Sequence, residues 1–400
     1  MDCHPGNQRR IHLGGCGTAR PDGSGIGVKG LSSNPKEIRG KRTGWTTGAC
    51  SAAAARAATL GLLTGQIPKR VEMRLPDHQW VTFAVERGSL DENAATAVVV
   101  KDAGDDPDCT HGAHLVARVE PWFGQPGAIR LQGGTGVGTV TRPGLGLVVG
   151  EAAINPIPRE NIIANVRDVA LDLLKTHGLA VTLSVPGGET LALKTLNPRL
   201  GIVGGISILG TTGVVHPYST SAYKAAVVQS IRGAAAAGLT FLALTTGRRT
   251  ERFAMQRFPS WPPWSFVQMG DFVGAALEAA QSAGIQQVVL AAMGGKLAKM
   301  AQGVKNTHAH KTDLDMNRVA QLAQRGGAEP ELMARIAQGT TVRFAVEEMD
   351  RFGLKTAFYQ QLAQSAYAGI QPWLGNRTAA TVLALDFEGG LVAWAGTPLP

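Results

Sequence analysis

A chain of 400 residues with 39 Lys and Arg against 30 Asp and Glu, a net charge of +9, is too long for one ordinary core and reads as two domains. The basic balance favours anionic partners without choosing among nucleic acid, an anionic surface and a carboxylate or phosphate ligand. No apolar run approaches the roughly 18 to 20 residues of a membrane span, and Cys3, Cys16, Cys50 and Cys109 show no CxxC pairing. These features argue against a membrane protein, a disulfide scaffold and a zinc finger, and fit free thiols in a reducing cytoplasm.

Residues 1–40 are rich in Gly, Ser, Pro and Arg and have no hydrophobic periodicity or signal-peptide core, so they read as a disordered N-terminal extension. The run from Thr43 to Ser51 leads into the alanines of 52–63 and then Gly65, which predicts a loop, a helix and a glycine stop. Strands are expected over 70–75, 80–86, 97–101, 114–120 and 180–185, with a helix over 159–177, so residues 41–200 read as an α+β domain. The rhythm then changes. Helices over 221–237, 272–283 and 296–303 alternate with strands over 240–245 and 287–292, which predicts βαβ units and a Rossmann-like parallel-sheet α/β domain over 201–375. In such sheets ligands lie outside the carboxyl ends of the strands, here the loops Thr246 to Arg249 and Met293 to Lys296. Residues 376–400 read as a β-hairpin packing on one of the two domains.

With 51 glycines, nearly double the roughly 7% of average usage, the loops are expected to carry the chemistry. The run Gly133 to Gly146 lacks the third glycine of GxGxxG, because Val149 stands there, and fits an anion cradle or a tight bend equally. Asn197 to Pro217 joins glycines and hydroxyls to a helix start, a pattern that suits an anion or nucleotide cradle, an interdomain hinge, or both. Met293-Gly294-Gly295-Lys296 lacks the GxxxxGK[ST] spacing of a P-loop. Asp105, Asp106, Asp108 and His111 can bind a metal, move a proton, position a substrate or form an ordinary solvated loop. His308 and His310 fit a surface segment better than a metal site. Trp261 and Trp264 can wall a flat ligand or pack in a core, and Cys50 reads as an activated thiol or a small packing residue.

Taken in order, Thr43-Gly44-Trp45-Thr46-Thr47-Gly48, Asp105-Asp106-Pro107-Asp108 with Thr110-His111-Gly112, Gly136 to Val140, Pro143-Gly144-Leu145, Gly150-Glu151 with Ile154-Asn155-Pro156, Asn197 to Gly213 and Gly295 to Lys299 resemble the cobalt-precorrin-5B C-1 methyltransferase family of anaerobic cobalamin biosynthesis. The resemblance runs from Arg42 to about Ile370 and leaves the N-terminal extension unmatched. Trp45 stands where the family pattern has tyrosine, and Cys109 where it has valine. The resemblance implies methyl transfer from S-adenosylmethionine to carbon 1 of a cobalt-bearing, ring-contracted tetrapyrrole. The cobalt then arrives with the substrate and no protein metal site is required.

On that reading Gly201, Gly204, Gly205, Ser207, Gly210, Thr211, Thr212 and Gly213, with the strand-end loops, are expected to hold the donor. Thr46, Thr47, Arg142, Arg159, Arg199 and Arg248 are expected to contact the anionic tetrapyrrole, and Asp105, Asp108 and His111 to adjust its protonation or position. Two other classes compete: a nicotinamide-dependent oxidoreductase, opposed by the missing GxGxxG, and a non-catalytic binding protein for nucleic acid or a tetrapyrrole, opposed by scattered basic residues and only 6% aromatics.

Overall fold

A computed structural model describes residues 42–308, 313–375 and 377–398. The extension expected over 1–40, and His310 of the histidine pair, lie outside the described residues.

The first helix, α1 (Thr47–Thr64), starts where Thr46 turns extended and its hydroxyl accepts the Ala49 N–H at 3.2 Å. It stops at Gly65, whose φ of 73° suits glycine and whose N–H closes on the Gly61 carbonyl. Ala52, Ala53, Ala54 and Ala55 are wholly buried. Side chains this small let the helix lie deep between a sheet and a second helix, α2 (Pro156–Val169), whose first turn is preset by two prolines. The sheet comprises β1 (Arg87–Asp91), β2 (Ala94–Val100), β3 (His114–Trp122), β4 (Ile129–Gly133) and β5 (Gly178–Ser184), in the spatial order β1-β2-β3-β5-β4. All pairs are antiparallel except β5 with β4. Ala97, Val99, Leu115, Ala117, Val181 and Leu183 alternate along their strands and share a core with α1.

The second half runs α3 (Thr220–Ala236), β6 (Phe241–Thr245), α4 (Arg248–Arg257), β7 (Phe266–Gln268), α5 (Val273–Ser282), β8 (Gln287–Met293) and α6 (Gly294–Ala301). Then come α7 (Met316–Arg325), α8 (Pro330–Gln338), α9 (Val342–Arg351), α10 (Lys355–Leu374), β9 (Ala379–Leu385) and β10 (Leu391–Gly396). The sheet order is β7-β6-β8-β9-β10, parallel apart from β9 with β10. The chain leaves β6 to one side for β7 and continues on the other side with β8, so β6 is a switch point in strand order. Leu242, Leu244, Leu290 and Val382 face one helical layer, while Ala243, Val289, Ala291 and Leu383 face Ala254 and Phe258 at α4 on the other side. Burial on both faces is why these strands read as continuous apolar runs.

The C-terminal strand pair forms an antiparallel hairpin, and its first strand β9 pairs with β8, so the hairpin is part of the second sheet. Two expectations need correcting. Arg248 and Gly294 begin helices α4 and α6, where loops were expected. The helices α7 to α10 form a long insertion between β8 and β9 that the sequence reading passed over. The principal core of the first half reaches Ile208, and that of the second begins at Val227.

Candidate active site

A cavity of about 1030 Å³ among the described residues opens at the carboxyl ends of β6 and β8, where Thr246, Gly247 and Met293 line it. Three helices begin at its rim: α4 after Gly247, α6 after Met293 and α9 after Thr341. Neither Gly247 nor Met293 supplies a side-chain cap, so first-turn amides of α4 and α6 are left without intrahelical acceptors. Arg248, Arg249, Lys296 and Lys299 line the wall, with Asp313 as the lining carboxylate and Leu314, Met316, Val342 and Phe387 as apolar surface.

These cations are not equivalent. Arg249 donates to the Phe387 carbonyl at 2.9 Å. Lys296 is paired with Asp271 and donates to the Thr307 carbonyl at 3.1 Å. Lys299 donates to the His308 carbonyl at 3.1 Å, and burial, with Lys296 nearby, pushes its ammonium pKa down. Arg248 is exposed and has no hydrogen-bond partner among the described residues. It also lines a second hollow of about 440 Å³ between the two halves, together with Lys194, Tyr223, Trp264 and Gln268.

The motif loops of the first half meet elsewhere, around the start of α1. Thr46 N–H donates to the Gly213 carbonyl at 2.9 Å, Thr47 Oγ1 donates to the Ser207 carbonyl at 3.0 Å, and Leu209 N–H donates to Thr47 Oγ1 at 2.9 Å. Both threonines are buried and spent on the chain itself. Gly205 and Ile206 pair in parallel with Gly136 and Val137, and a Cβ on Gly205 would stand 2.3 Å from the Gly136 carbonyl carbon. A Cβ on Gly210 would meet Thr46 at 2.5 Å, and one on Gly213 would meet Leu75 at 2.6 Å. Ser207 Oγ donates to Asn197 Oδ1 at 3.2 Å, and Thr212 Oγ1 accepts the Val214 N–H at 3.2 Å. Gly201 packs on Arg142, Gly204 is open, and Thr211 lines a pocket of about 400 Å³ near Trp80. None of these eight residues lines the 1030 Å³ cavity; Gly205, Gly210 and Gly213 stand in close packing, whereas Gly204 faces open space.

The acidic loop is likewise committed. Asp108 Oδ2 accepts from the Nζ of the wholly buried Lys101 at 2.6 Å, while its Oδ1 accepts from Thr110 Oγ1 at 2.6 Å. Burial pushes the Asp108 carboxyl up, but the bonds from Lys101 and Thr110 outweigh it and hold the pKa below the usual range. Asp105 accepts the Arg42 N–H at 2.9 Å and Asp106 the Tyr218 N–H at 2.9 Å. Ala103 N–H donates to His111 Nδ1 at 3.0 Å, which puts that ring proton on Nε2. The 3.7 Å approach of Asp102 to the same nitrogen is therefore not a hydrogen bond. Burial pushes the Cys50 thiol up to about 12, which removes the activated-thiol reading.

Of the four expected substrate arginines, three are engaged within the chain. Arg142 donates to the Pro198 carbonyl at 2.9 Å and lies 4.0 Å over the Trp264 ring, with burial lowering its pKa. Arg159 donates to Glu151 at 3.3 Å. Arg199 pairs through both nitrogens with the buried Glu251, which also accepts from Gln268 Nε2 at 2.5 Å. Only Arg248 of the four stands in the main cavity. The sequence reading missed Lys299, Thr340 and Thr341 as lining groups, although Lys299 lay inside a motif it quoted.

Family models described as "CbiD" and "CbiD, C-terminal domain" match residues 34–217 and 306–396. A relative from Polaromonas naphthalenivorans, named cobalt-precorrin-5B C(1)-methyltransferase, is 54% identical over 89% of this chain and 98% of its own length. The chain belongs to the CbiD family. Relatives of the same name are 52% identical in Methylococcus capsulatus, over 90% of this chain and 94% of theirs, and 47% identical in a Geobacillus strain, over 86% and 93%. A solved structure titled cobalamin biosynthesis protein (cbiD), from Archaeoglobus fulgidus, is 29% identical with a TM-score of 0.37 and covers 66% of this chain and 81% of that one. In this CbiD-family chain the cavity residues Thr246 to Thr250, Met293, Gly295, Lys296 and Lys299 fall between the two matched segments, while Asp313, Thr341 and Phe387 fall inside the second.

Proposed function

We propose that this chain transfers the methyl group of S-adenosylmethionine to carbon 1 of cobalt-precorrin-5B, giving cobalt-precorrin-6A and S-adenosylhomocysteine. The observation that carries the reading is 54% identity along 98% of a relative named for that reaction. The cobalt belongs to the substrate. A nucleophilic ring carbon takes the methyl as the S–C bond breaks, and the sulfonium leaves as a neutral thioether. The donor is already activated, so the protein's task is alignment, which can supply on the order of 7 to 11 kcal/mol.

We read the second sheet as a Rossmann-like domain with its crevice at the β6 switch point, and the first sheet with α1 as the other domain. The donor carries a sulfonium, an ammonium and one carboxylate, for a net positive charge. The hollow between the halves suits it, because Tyr223 offers an aromatic face to a cation or an adenine and Lys194 offers a partner for the carboxylate. Arg199 in that wall is neutralised by Glu251. The Gly201 to Gly213 stretch then serves as scaffold, and Asp105, Asp108 and His111 hold loops together instead of moving protons. No helix among the described residues is long and apolar enough to cross a membrane, and the free thiols Cys50 and Cys109 fit a reducing cytoplasm.

The test is incubation of the purified chain with cobalt-precorrin-5B and methyl-labelled S-adenosylmethionine, followed by NMR. Label on a new methyl group at carbon 1 is expected; product labelled elsewhere, or none, refutes the assignment.

A further inference from the structure

We infer that the cavity at the carboxyl ends of β6 and β8 is the seat of a polycarboxylate macrocycle, and that the sulfonium donor does not bind there. The inference rests on the reaction proposed above and adds which hollow takes which reactant.

Size is the first argument. At about 1030 Å³ the cavity has more than twice the volume of the inter-half hollow, about 440 Å³. A tetrapyrrole with its acetate and propionate arms needs the larger space. Charge is the second. Arg248, Arg249, Lys296 and Lys299 line the cavity with Asp313 as the lining carboxylate, and Asp271 neutralises Lys296. The balance stays positive, and the N-terminal ends of α4 and α6 add partial positive charge at the cavity. Several carboxylates are attracted by such a field.

Chemistry is the third argument. Arg248, with no hydrogen-bond partner among the described residues, presents a planar guanidinium, the geometry that holds a carboxylate through two parallel hydrogen bonds. Met293, Leu314, Met316 and Phe387 supply apolar surface for the flat face of a ring. Position is the fourth. The crevice lies at the β6 switch point, where open parallel sheets receive ligands. Arg248 belongs to both hollows, so a macrocycle held by it would border the donor's hollow.

The experiment uses the full chain and uroporphyrin I, a macrocycle with eight carboxylates, followed by fluorescence, with calorimetry of S-adenosylmethionine alongside. Arg248→Glu reverses an exposed charge that has no partner among the described residues, and Thr340→Asp adds a carboxylate at an exposed lining position. Arg70→Glu, at an exposed strand position outside the cavity, controls for overall charge. Both cavity variants should weaken uroporphyrin binding by about tenfold or more; Thr340→Asp, which lines only the larger cavity, should also leave donor affinity within about twofold, and the control should change neither. Unchanged uroporphyrin affinity in both folded cavity variants, or displacement of uroporphyrin by the donor, overturns the inference. A missing carbon-1 label in the wild-type chain would instead sink the reaction and leave the macrocycle-binding result standing.

Discussion

Lys101 is buried to 1% exposure, and its ammonium has Asp108 as its counter-ion at 2.6 Å. Removing one partner of such a pair strands the other charge, a loss of about 3 kcal/mol or more. Asp108→Asn should therefore lower unfolding free energy by about that amount, measured by urea denaturation at neutral pH. The folded Asp108 carboxyl titrates below its usual value. Its stabilising contribution is thus complete above the unfolded pKa, about 3.9, and disappears as pH falls through the lower folded value. The stability gap between wild type and Asp108→Asn should be widest above pH ~4 and narrow below it; a gap independent of pH would rule this account out. The acidic loop was visible in the sequence as a cluster. That its strongest carboxylate serves a buried lysine was not, because Lys101 sat at the end of a predicted strand with no sign of which way it points.

At the scale of elements, two neighbouring glycines should behave differently. Gly205 stands against the Gly136 backbone, so Gly205→Ala must push two paired strands apart, at about 1 to 3 kcal/mol. Gly204 has a φ of 80° but open space around it, so Gly204→Ala should cost only the backbone strain of about 1 to 2 kcal/mol. Thermal unfolding should rank Gly205→Ala as the less stable; the reverse order would return the loop to a ligand-cradle role.

The Arg199–Glu251 pair ties the turn after α2's half of the chain to α4, the helix that starts with Arg248. Glu251→Gln should lose about 3 kcal/mol and also raise KM for the macrocycle, since α4 would no longer be held. A variant with lowered stability and unchanged KM would show that the clamp does not position Arg248. Both partners were legible as charged residues, but a sequence cannot say that an arginine expected to bind substrate is already taken by a glutamate 52 residues away.

For the molecule as a whole, a net charge of +9 gains meaning only from where the unpaired part lies. Screening lengths shrink from about 8 Å at physiological salt to about 3 Å at 1 M. KM for the tetrapyrrole should therefore rise several-fold across that range, while KM for S-adenosylmethionine stays within about twofold. Equal salt dependence of both constants would contradict a charge-selective cavity. Local pattern was enough for α1, with its threonine cap, alanine run and glycine stop, and for the alternating helices and apolar strands of the second half. These depend on residues within a turn or two of one another. The ordered motifs were likewise enough for the family, because a string of short loops in fixed order is a property of the chain alone. The tertiary structure decided which charges are free, which glycines face backbone and where the hollow opens. Each of those is set by partners distant in sequence, such as Thr47 with Ser207 160 positions on, and an ionic or packing partner exists only once the fold has brought it within reach.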